Sequence, residues 1–188
     1  MIPSFALAFF LAAATVQTAD EAIAADARSY ARSQGVSQEE AVRRLRIQLE
    51  MGGLIGRLRK TYKSRLAGII VDHQPVYRVR VRLTGPSPVA PQEHKLGGST
   101  LPVVFETGAT ATVDALVQAM STHAEALKRL YPTLAGMGAD ERTSEIVLDV
   151  YAPTAEEAAA AKAKLGEAQA LLGVPVRIAI TDAYPALQ

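Results

Sequence analysis

Residues 77–83 alternate strictly between apolar and charged side chains, and this pattern constrains the fold more than any other in the chain. The odd positions are apolar, and the even positions carry Arg78, Arg80 and Arg82. Successive side chains of a β-strand point to opposite faces of a sheet, so the segment predicts a strand with one apolar face and one guanidinium face. The arginine face is either a solvated outer face or a docking surface for an acidic partner.

Charge is distributed unevenly along the 188 residues, although the net charge is only +1. Residues 36–85 contain 11 Lys or Arg and 4 acidic residues, a net charge of +7. Residues 101–188 contain 6 Lys or Arg and 11 acidic residues, a net charge of −5. The sequence therefore predicts a globular protein with a basic first half and an acidic second half.

The first 19 residues carry no charged side chain and include an apolar run at residues 5–16. A run of this length suits a secretory signal peptide and is short for a membrane span, although an uncleaved anchor is the alternative. The chain has no cysteine, which excludes disulfides, thiolate metal sites and a lipoprotein anchor. We therefore expect a periplasmic or extracellular protein that is stable through packing alone.

Capping and turn residues divide the remaining chain into α and β segments. Ser37 with Glu40, and Thr154 with Glu157, form capping-box patterns that open helices. Hairpins are predicted at residues 66–84 and 134–151, with a helix from residue 113 and a last strand after Gly173. We expect a helical and hairpin subdomain at 20–85, a Pro- and Gly-rich linker at 86–100, and a second subdomain at 101–188.

Two of these segments resemble each other. Residues 58–83 align with residues 127–151, matching Tyr62 with Tyr131 and the Leu-Ala-Gly at 66–68 with the Leu-Ala-Gly at 134–136. The predicted fold class is therefore α+β, with two helix-plus-β-hairpin repeats. A strand at residues 101–107 and the last strand would extend the second repeat to a ferredoxin-like βαββαβ order.

Catalytic and metal-binding motifs are absent from the sequence. His73, His94 and His123 lie apart and lack the spacing of a metal site, and no nucleophile elbow or phosphate loop is present. We predict a noncatalytic protein without cofactor or metal. Nucleic acid is also a poor candidate partner, because aromatic residues make up only 5% of the chain and supply few stacking surfaces.

Residues 27–85 and 134–150 together resemble the amino-terminal pro-region of secreted bacterial chymotrypsin-fold serine proteases, of the alpha-lytic protease and streptogrisin group. In that family the pro-region is a two-part α+β module that helps its protease to fold and inhibits it. The resemblance implies a noncatalytic module whose sheet adds to a protease β-hairpin while its tail enters the active-site cleft. The implied partner is a secreted chymotrypsin-fold serine protease.

This resemblance and the charge pattern give one set of expected partner-binding residues. They lie on the arginine strand, on the second hairpin and in the carboxy-terminal tail: Arg78, Arg80, Arg82, Ile146, Leu148, Val150, Tyr184, Leu187 and Gln188. No protease domain follows in this sequence, so we expect the module to act in trans as an inhibitor or folding helper, to serve another binding role, or to be a relic. Alternatives are a ferredoxin-like module that binds a ligand or self-associates, and a basic-faced binder of anionic polymers.

Overall fold

The computed structural model describes residues 19–182, which form five helices and seven strands. The helices are α1 (Ala19–Gln34), α2 (Gln38–Thr61), α3 (Val113–Leu130), α4 (Ala155–Ala163) and α5 (Leu165–Leu172). The strands are β1 (Leu66–Asp72), β2 (Arg78–Thr84), β3 (Gln92–Leu96), β4 (Ser99–Ala109), β5 (Leu134–Asp140), β6 (Glu145–Tyr151) and β7 (Val176–Thr181). They make two separate sheets, so the predicted α+β class is confirmed.

The chain divides into two compact units at Arg46, which lies inside α2. In the first unit, Gly35 follows α1 with a φ of +64°, and the Ser37 hydroxyl then accepts a 3.1 Å hydrogen bond from the Glu40 N–H at the start of α2. Hydrogen bonds from Arg43, opposed by partial burial and helped by Arg44, lower the pKa of Glu40 to about 2. This helix start therefore follows the capping pattern of the sequence.

The first sheet of the second unit has the strand order β1-β2-β4-β3. β1 and β2 form the predicted antiparallel hairpin, β2 and β4 are parallel, and β4 and β3 are antiparallel. The apolar side chains of β2 are buried, while its arginines alternate with them on the other face. The alternation of residues 77–83 therefore predicts both the strand and its buried face correctly.

The carboxy-terminal part of α2 covers the apolar face of this sheet. Ile47, Met51, Leu54 and Leu58 follow one another at helical spacing and are buried. They share a core with the apolar residues of β1, β2 and β4. Truncating a fully buried Leu or Ile in such a core to alanine costs about 2–5 kcal/mol in the free energy of unfolding. The apolar face of β2 is therefore held against α2, and the arginines lie on the opposite face of the sheet.

The segment predicted as a linker, residues 86–100, contains β3 and the turn to β4. Gly97 and Gly98 both have positive φ, at 55° and 72°, which is the geometry of a tight two-residue hairpin turn. Leu101 and Val103 of β4 are fully buried in the first core. β4 therefore belongs to the first sheet, although the predicted boundary at residue 101 assigns most of it to the second subdomain.

The second sheet has three strands in the order β5-β6-β7, with β5 and β6 antiparallel and β6 and β7 parallel. Helices α3 and α5 contribute to the core of this sheet, with Leu116, Leu127 and Leu172 among its buried residues. The ferredoxin-like order is not confirmed, because its expected first strand, β4, pairs with β2 and β3 instead.

The two hairpins share a local irregularity. The antiparallel register shifts between Leu66 and Gly68 in the first hairpin, and between Leu134 and Gly136 in the second. In each case the preceding helix ends near a tyrosine whose carbonyl oxygen accepts a hydrogen bond from a backbone N–H three residues later, at 2.8 and 3.0 Å. The two Leu-Ala-Gly steps are therefore bulges at corresponding places.

Two predictions fall on the ends of the chain. Residues 1–18, which hold nearly all of the expected signal peptide, lie outside the described residues, as do Tyr184, Leu187 and Gln188. None of the described helices combines the length and apolar character that crossing a lipid bilayer requires.

Candidate protein-binding site

The three arginines of β2 are engaged within the chain. Arg78 and Arg80 both bond to the Asp72 carboxylate at the end of β1, at 3.1 and 2.9 Å, and Arg80 also contacts Glu106 of β4 at 3.2 Å. Hydrogen bonding from Arg80 is the main cause that lowers the pKa of Asp72, against the opposing effect of burial. The same contact raises the pKa of Arg80.

Arg82 joins the first sheet to the turn between β5 and β6. Its Nη1 donates to the backbone carbonyl oxygen of Glu141 and to the Ser144 hydroxyl, both at 2.8 Å. Hydrogen bonds from a charged donor are worth about 1.5–3 kcal/mol when both groups are withdrawn from water. Arg82 of the arginine stripe therefore contacts the acidic second half of the same chain.

Glu141 lies at the centre of this contact, which we call the turn junction and define by Gly68, Ile69, Arg82, Glu141 and Ser144. The Glu141 carboxylate accepts a 2.7 Å hydrogen bond from the backbone N–H of Ile69 on β1. Its other oxygen lies 3.8 Å from the guanidinium of Arg59 at the end of α2. A single side chain thus links the turn to a strand edge and to a helix.

Gly68 permits this approach because it has no side chain. A Cβ built on Gly68 would lie 2.6 Å from the Glu141 carbonyl oxygen and 2.8 Å from the Glu141 Cβ. Such distances are well inside van der Waals contact, and the neighbouring atoms belong to the backbone and Cβ of the turn. Gly68 therefore allows the turn to approach the backbone of β1 closely.

The β5–β6 turn is held in one conformation by its own polar groups. Ser144 is fully buried and has a φ of +62°, which is unusual for a residue with a side chain. Asp140 accepts a hydrogen bond from the Arg142 N–H, and this bond is the main cause that lowers the pKa of Asp140. Arg177 of β7 adds a 3.2 Å ion pair to Asp140. The turn is therefore preorganised for its contact with β1.

The predicted binding residues of the second hairpin lie in the core. Ile146, Leu148 and Val150 are at most 2% exposed, among side chains of α3, α5 and β7. Their side chains are therefore not available to a partner in this structure. What they position is the backbone of the neighbouring strand β5, which is one of the two outer strands of the second sheet.

A groove lies between β1 and the β5–β6 hairpin. It has a volume of about 580 Å³ and is lined by residues 69–71 of β1, residues 137–142 of β5 and the turn, and Val147 and Asp149 of β6. β1 pairs only with β2, and β5 pairs only with β6, so each strand presents one unpaired edge among the described residues. Unpaired edges of this kind are templates for strand addition.

Only part of this site is predictable from the sequence. The alternation of residues 77–83 places the arginines on one face. Glu141 has no predicted role, although its contacts join residues 59, 69 and 82 to the turn. No local pattern signals these contacts, because they arise only when β1 and the turn meet. Tyr184, Leu187 and Gln188 cannot be placed relative to the groove, since they lie outside the described residues.

The fold and the site define an α+β module with two small sheets and open strand edges beside a common groove. Within residues 19–182, no three acidic or histidine side chains come together as potential metal ligands. No family model matches the chain, and a search of curated proteins also finds no match.

Proposed function

We propose that this chain is an exported, noncatalytic protein-binding module that recognises a secreted chymotrypsin-fold serine protease in trans. It acts by strand addition, as an inhibitor or as a folding helper. The observation that carries the proposal is the unpaired edge of β5, held by a hairpin whose second strand is buried in a core. The sequence resemblance to protease pro-regions supplies the class of partner.

Strand addition requires an edge whose backbone is already ordered. The β5–β6 hairpin meets this requirement, because its turn is fixed by Asp140 and Ser144 and its register is fixed by the buried face of β6. A partner hairpin would gain backbone hydrogen bonds, each worth about 0.5–1.5 kcal/mol net, with little further ordering of this chain. Preorganisation of this kind favours tight binding from a short edge.

The arginine stripe has a different role in this proposal from the one expected of it. Arg78, Arg80 and Arg82 already have acceptors within the chain, so a polyanion would have to compete with Asp72, Glu106 and the turn. This removes the main support for the alternative of an anionic-polymer binder. We propose that the stripe holds the turn and the strand edges in place and contributes to partner binding indirectly.

We also propose that the two helix-plus-hairpin segments are copies of one unit. Support comes from the corresponding bulges at the two Leu-Ala-Gly steps and from the third strand, β4 or β7, that runs parallel to the second hairpin strand in each sheet. The copies differ in the connection to that third strand, which is the β3 hairpin in the first and α4 with α5 in the second.

Inhibition of the chymotrypsin-fold protease encoded nearest to this chain tests the proposal. The protein, without its first 19 residues, is titrated against the protease with a chromogenic substrate. We expect an inhibition constant below about 1 μM, which corresponds to a binding free energy of about −8 kcal/mol. A variant ending at Asp182 tests the tail, and we expect weaker inhibition if residues 183–188 enter the cleft.

Two further measurements distinguish the alternatives. Recovery of protease activity after dilution from denaturant, with and without the chain, separates a folding helper from an inhibitor alone. Sedimentation of the chain by itself detects self-association through the same strand edges. Absence of any effect on the activity or refolding of the protease, together with a concentration-dependent dimer, would overturn the proposal in favour of a self-associating module.

A further inference from the structure

The groove between β1 and the β5–β6 hairpin has a volume comparable to that of a short extended strand. A strand occupies about 160 Å³ per residue, from a rise of about 3.3 Å, a strand spacing of about 4.8 Å and a sheet spacing of about 10 Å. The groove volume of about 580 Å³ therefore accommodates about four residues. This length agrees with the three residues of β1, 69–71, and the last four of β5, 137–140, that line the groove.

The backbone of β1 presents hydrogen-bonding groups to the groove. The Ile69 N–H bonds to the Glu141 carboxylate and therefore faces away from β2. Alternate residues of a strand direct their N–H and C=O to the same side, so Val71 also faces the groove. Within the described residues, no partner is found for the Val71 N–H. Glu141 thus occupies the hydrogen-bonding position at Ile69 on the edge of β1, and the next outward-facing position, at Val71, is open among the described residues.

The backbone of β5 presents a second set of groups. The Ile146 N–H donates to the Pro175 carbonyl oxygen next to β7. The N–H and C=O of the following residue, Val147, therefore point to the other side, towards β5. Val147 is paired with Gly138, which must therefore face β6. The intervening residues Met137 and Ala139 direct their N–H and C=O away from β6, to the unpaired edge of β5.

The charge of the groove indicates which segment would enter it. Asp140, Glu141 and Asp149 line it, with Arg142 as the only cation among the lining residues. Asp140 is paired with Arg177, and Glu141 is held by β1, but no ion pair is found for Asp149 among the described residues. Asp149 is exposed and lies beside Gly136, with its Oδ2 3.4 Å from where a Gly136 Cβ would be. The groove therefore favours a positively charged side chain at this point.

We propose that the groove binds one extended polypeptide segment of about four residues, which hydrogen-bonds to the free edge of β1 at Val71 and carries a lysine or arginine opposite Asp149. The inference rests on the proposed function, since the segment belongs to the protein partner that the function requires. It deepens that function by adding β1 to the binding surface and by naming the chemistry of the bound segment.

Two labelled seven-residue peptides test the inference. Both alternate valine and threonine, and the central residue is lysine in one and glutamate in the other. Fluorescence anisotropy measures their binding to the chain as recovered from the expressing cell. We expect the lysine peptide to bind at least about fivefold more tightly than the glutamate peptide, which corresponds to about 1 kcal/mol. Hydrogen exchange should slow at the amide of Val71 when the lysine peptide binds.

Proline substitutions test the backbone contact. Val71→Pro removes an outward N–H from an edge strand, where proline leaves the β1–β2 ladder intact. Glu93→Pro is the matched control on β3, the opposite edge of the same sheet, and its N–H also faces outward because the alternate residues of β3 pair with β4. We expect Val71→Pro to weaken binding of the lysine peptide roughly fivefold and Glu93→Pro to leave it unchanged.

Charge reversal tests the side-chain contact and remains decisive if Val71→Pro does not fold. Asp149→Lys should weaken binding of the lysine peptide about tenfold and reverse the preference between the two peptides, whereas Glu93→Lys should do neither. The inference is overturned if the lysine peptide does not bind at about 1 mM, or if Asp149→Lys binds both peptides as the parent chain does. Peptide binding without any effect on a protease would uphold the groove and refute the proposed function, and protease inhibition without peptide binding would do the reverse.

Discussion

Replacing Gly68 by alanine should destabilise the turn junction. The added Cβ would lie 2.6 Å from the Glu141 carbonyl oxygen and 2.8 Å from its Cβ, so the turn must move away from β1. Inserting a methyl group into a packed site costs about 1–3 kcal/mol. Movement of the turn also lengthens the 2.7 Å bond from Ile69 to the Glu141 carboxylate and the bonds from Arg82. We expect a total loss of about 2–4 kcal/mol in the free energy of unfolding.

Gly136→Ala is a matched control, because this glycine occupies the corresponding place in the second Leu-Ala-Gly step. Its Cβ would meet only Asp149, at 3.4 Å for Oδ2, which is an ordinary contact. Neither glycine has a positive φ, so alanine adopts both backbone conformations without strain. Alanine also lowers the conformational entropy of the unfolded chain relative to glycine. This effect favours folding by about 0.4–1 kcal/mol and is the same in both variants.

Urea unfolding followed by far-ultraviolet circular dichroism measures both variants against the parent chain. We expect the urea midpoint of Gly68→Ala to fall markedly. The midpoint of Gly136→Ala should shift by an amount that corresponds to no more than about 1 kcal/mol in the free energy of unfolding. Hydrogen exchange at the Ile69 amide should accelerate only in Gly68→Ala. Equal losses in the two variants would refute the close-approach argument, because they would show that both glycines act through the strand backbone alone.

Three further predictions concern single contacts. Arg82→Met should cost about 1.5–3 kcal/mol in urea unfolding. Arg78→Met removes one partly exposed ion pair and should cost less than about 1 kcal/mol, because Asp72 keeps its bonds to Arg80. The pKa of Asp72 is lowered in the folded chain, so the ionised carboxylate stabilises the fold. This stabilisation is complete above the ordinary pKa of 3.8 and is lost as the pH falls through the lower pKa of the folded chain. The free energy of unfolding of Asp72→Asn should therefore depend less on pH below about 4 than that of the parent chain. Thr154→Ala removes the hydroxyl of the α4 capping box and should lower the thermal midpoint by an amount equivalent to about 1 kcal/mol, whereas Thr154→Ser should retain most of the stability.

Features that depend on a few neighbouring residues were predictable from the sequence. Thr112 caps α3, and Thr154 forms a capping box with Glu157, as their spacing indicates. The hairpins at residues 66–84 and 134–151 also form where alternation and turn residues place them. In each case the physical determinant is a hydrogen bond or a face alternation within a short stretch of chain.

The pairing of β4 could not be read in this way. Its alternating apolar residues suit either sheet, and the choice is made by burial of Leu101 and Val103 against α2. The glycine pair at residues 97 and 98 did signal a tight hairpin that ties β4 to β3, but the surrounding proline-rich sequence favoured a linker. Because this hairpin keeps β4 in the first sheet, the second sheet has three strands rather than the four that were predicted.

The two Leu-Ala-Gly bulges explain why the groove lies where it does. At Gly68 the bare backbone is covered by the turn, so the start of β1 is closed and only the edge beyond Ile69 remains open. At Gly136 no turn approaches, and Asp149 lies beside the glycine instead. One local structure thus fixes β1 against the second sheet and leaves β5 accessible. Among residues 19–182, only the bulge at Gly68 meets another segment of the chain closely, and the outer edge of β5 stays unpaired.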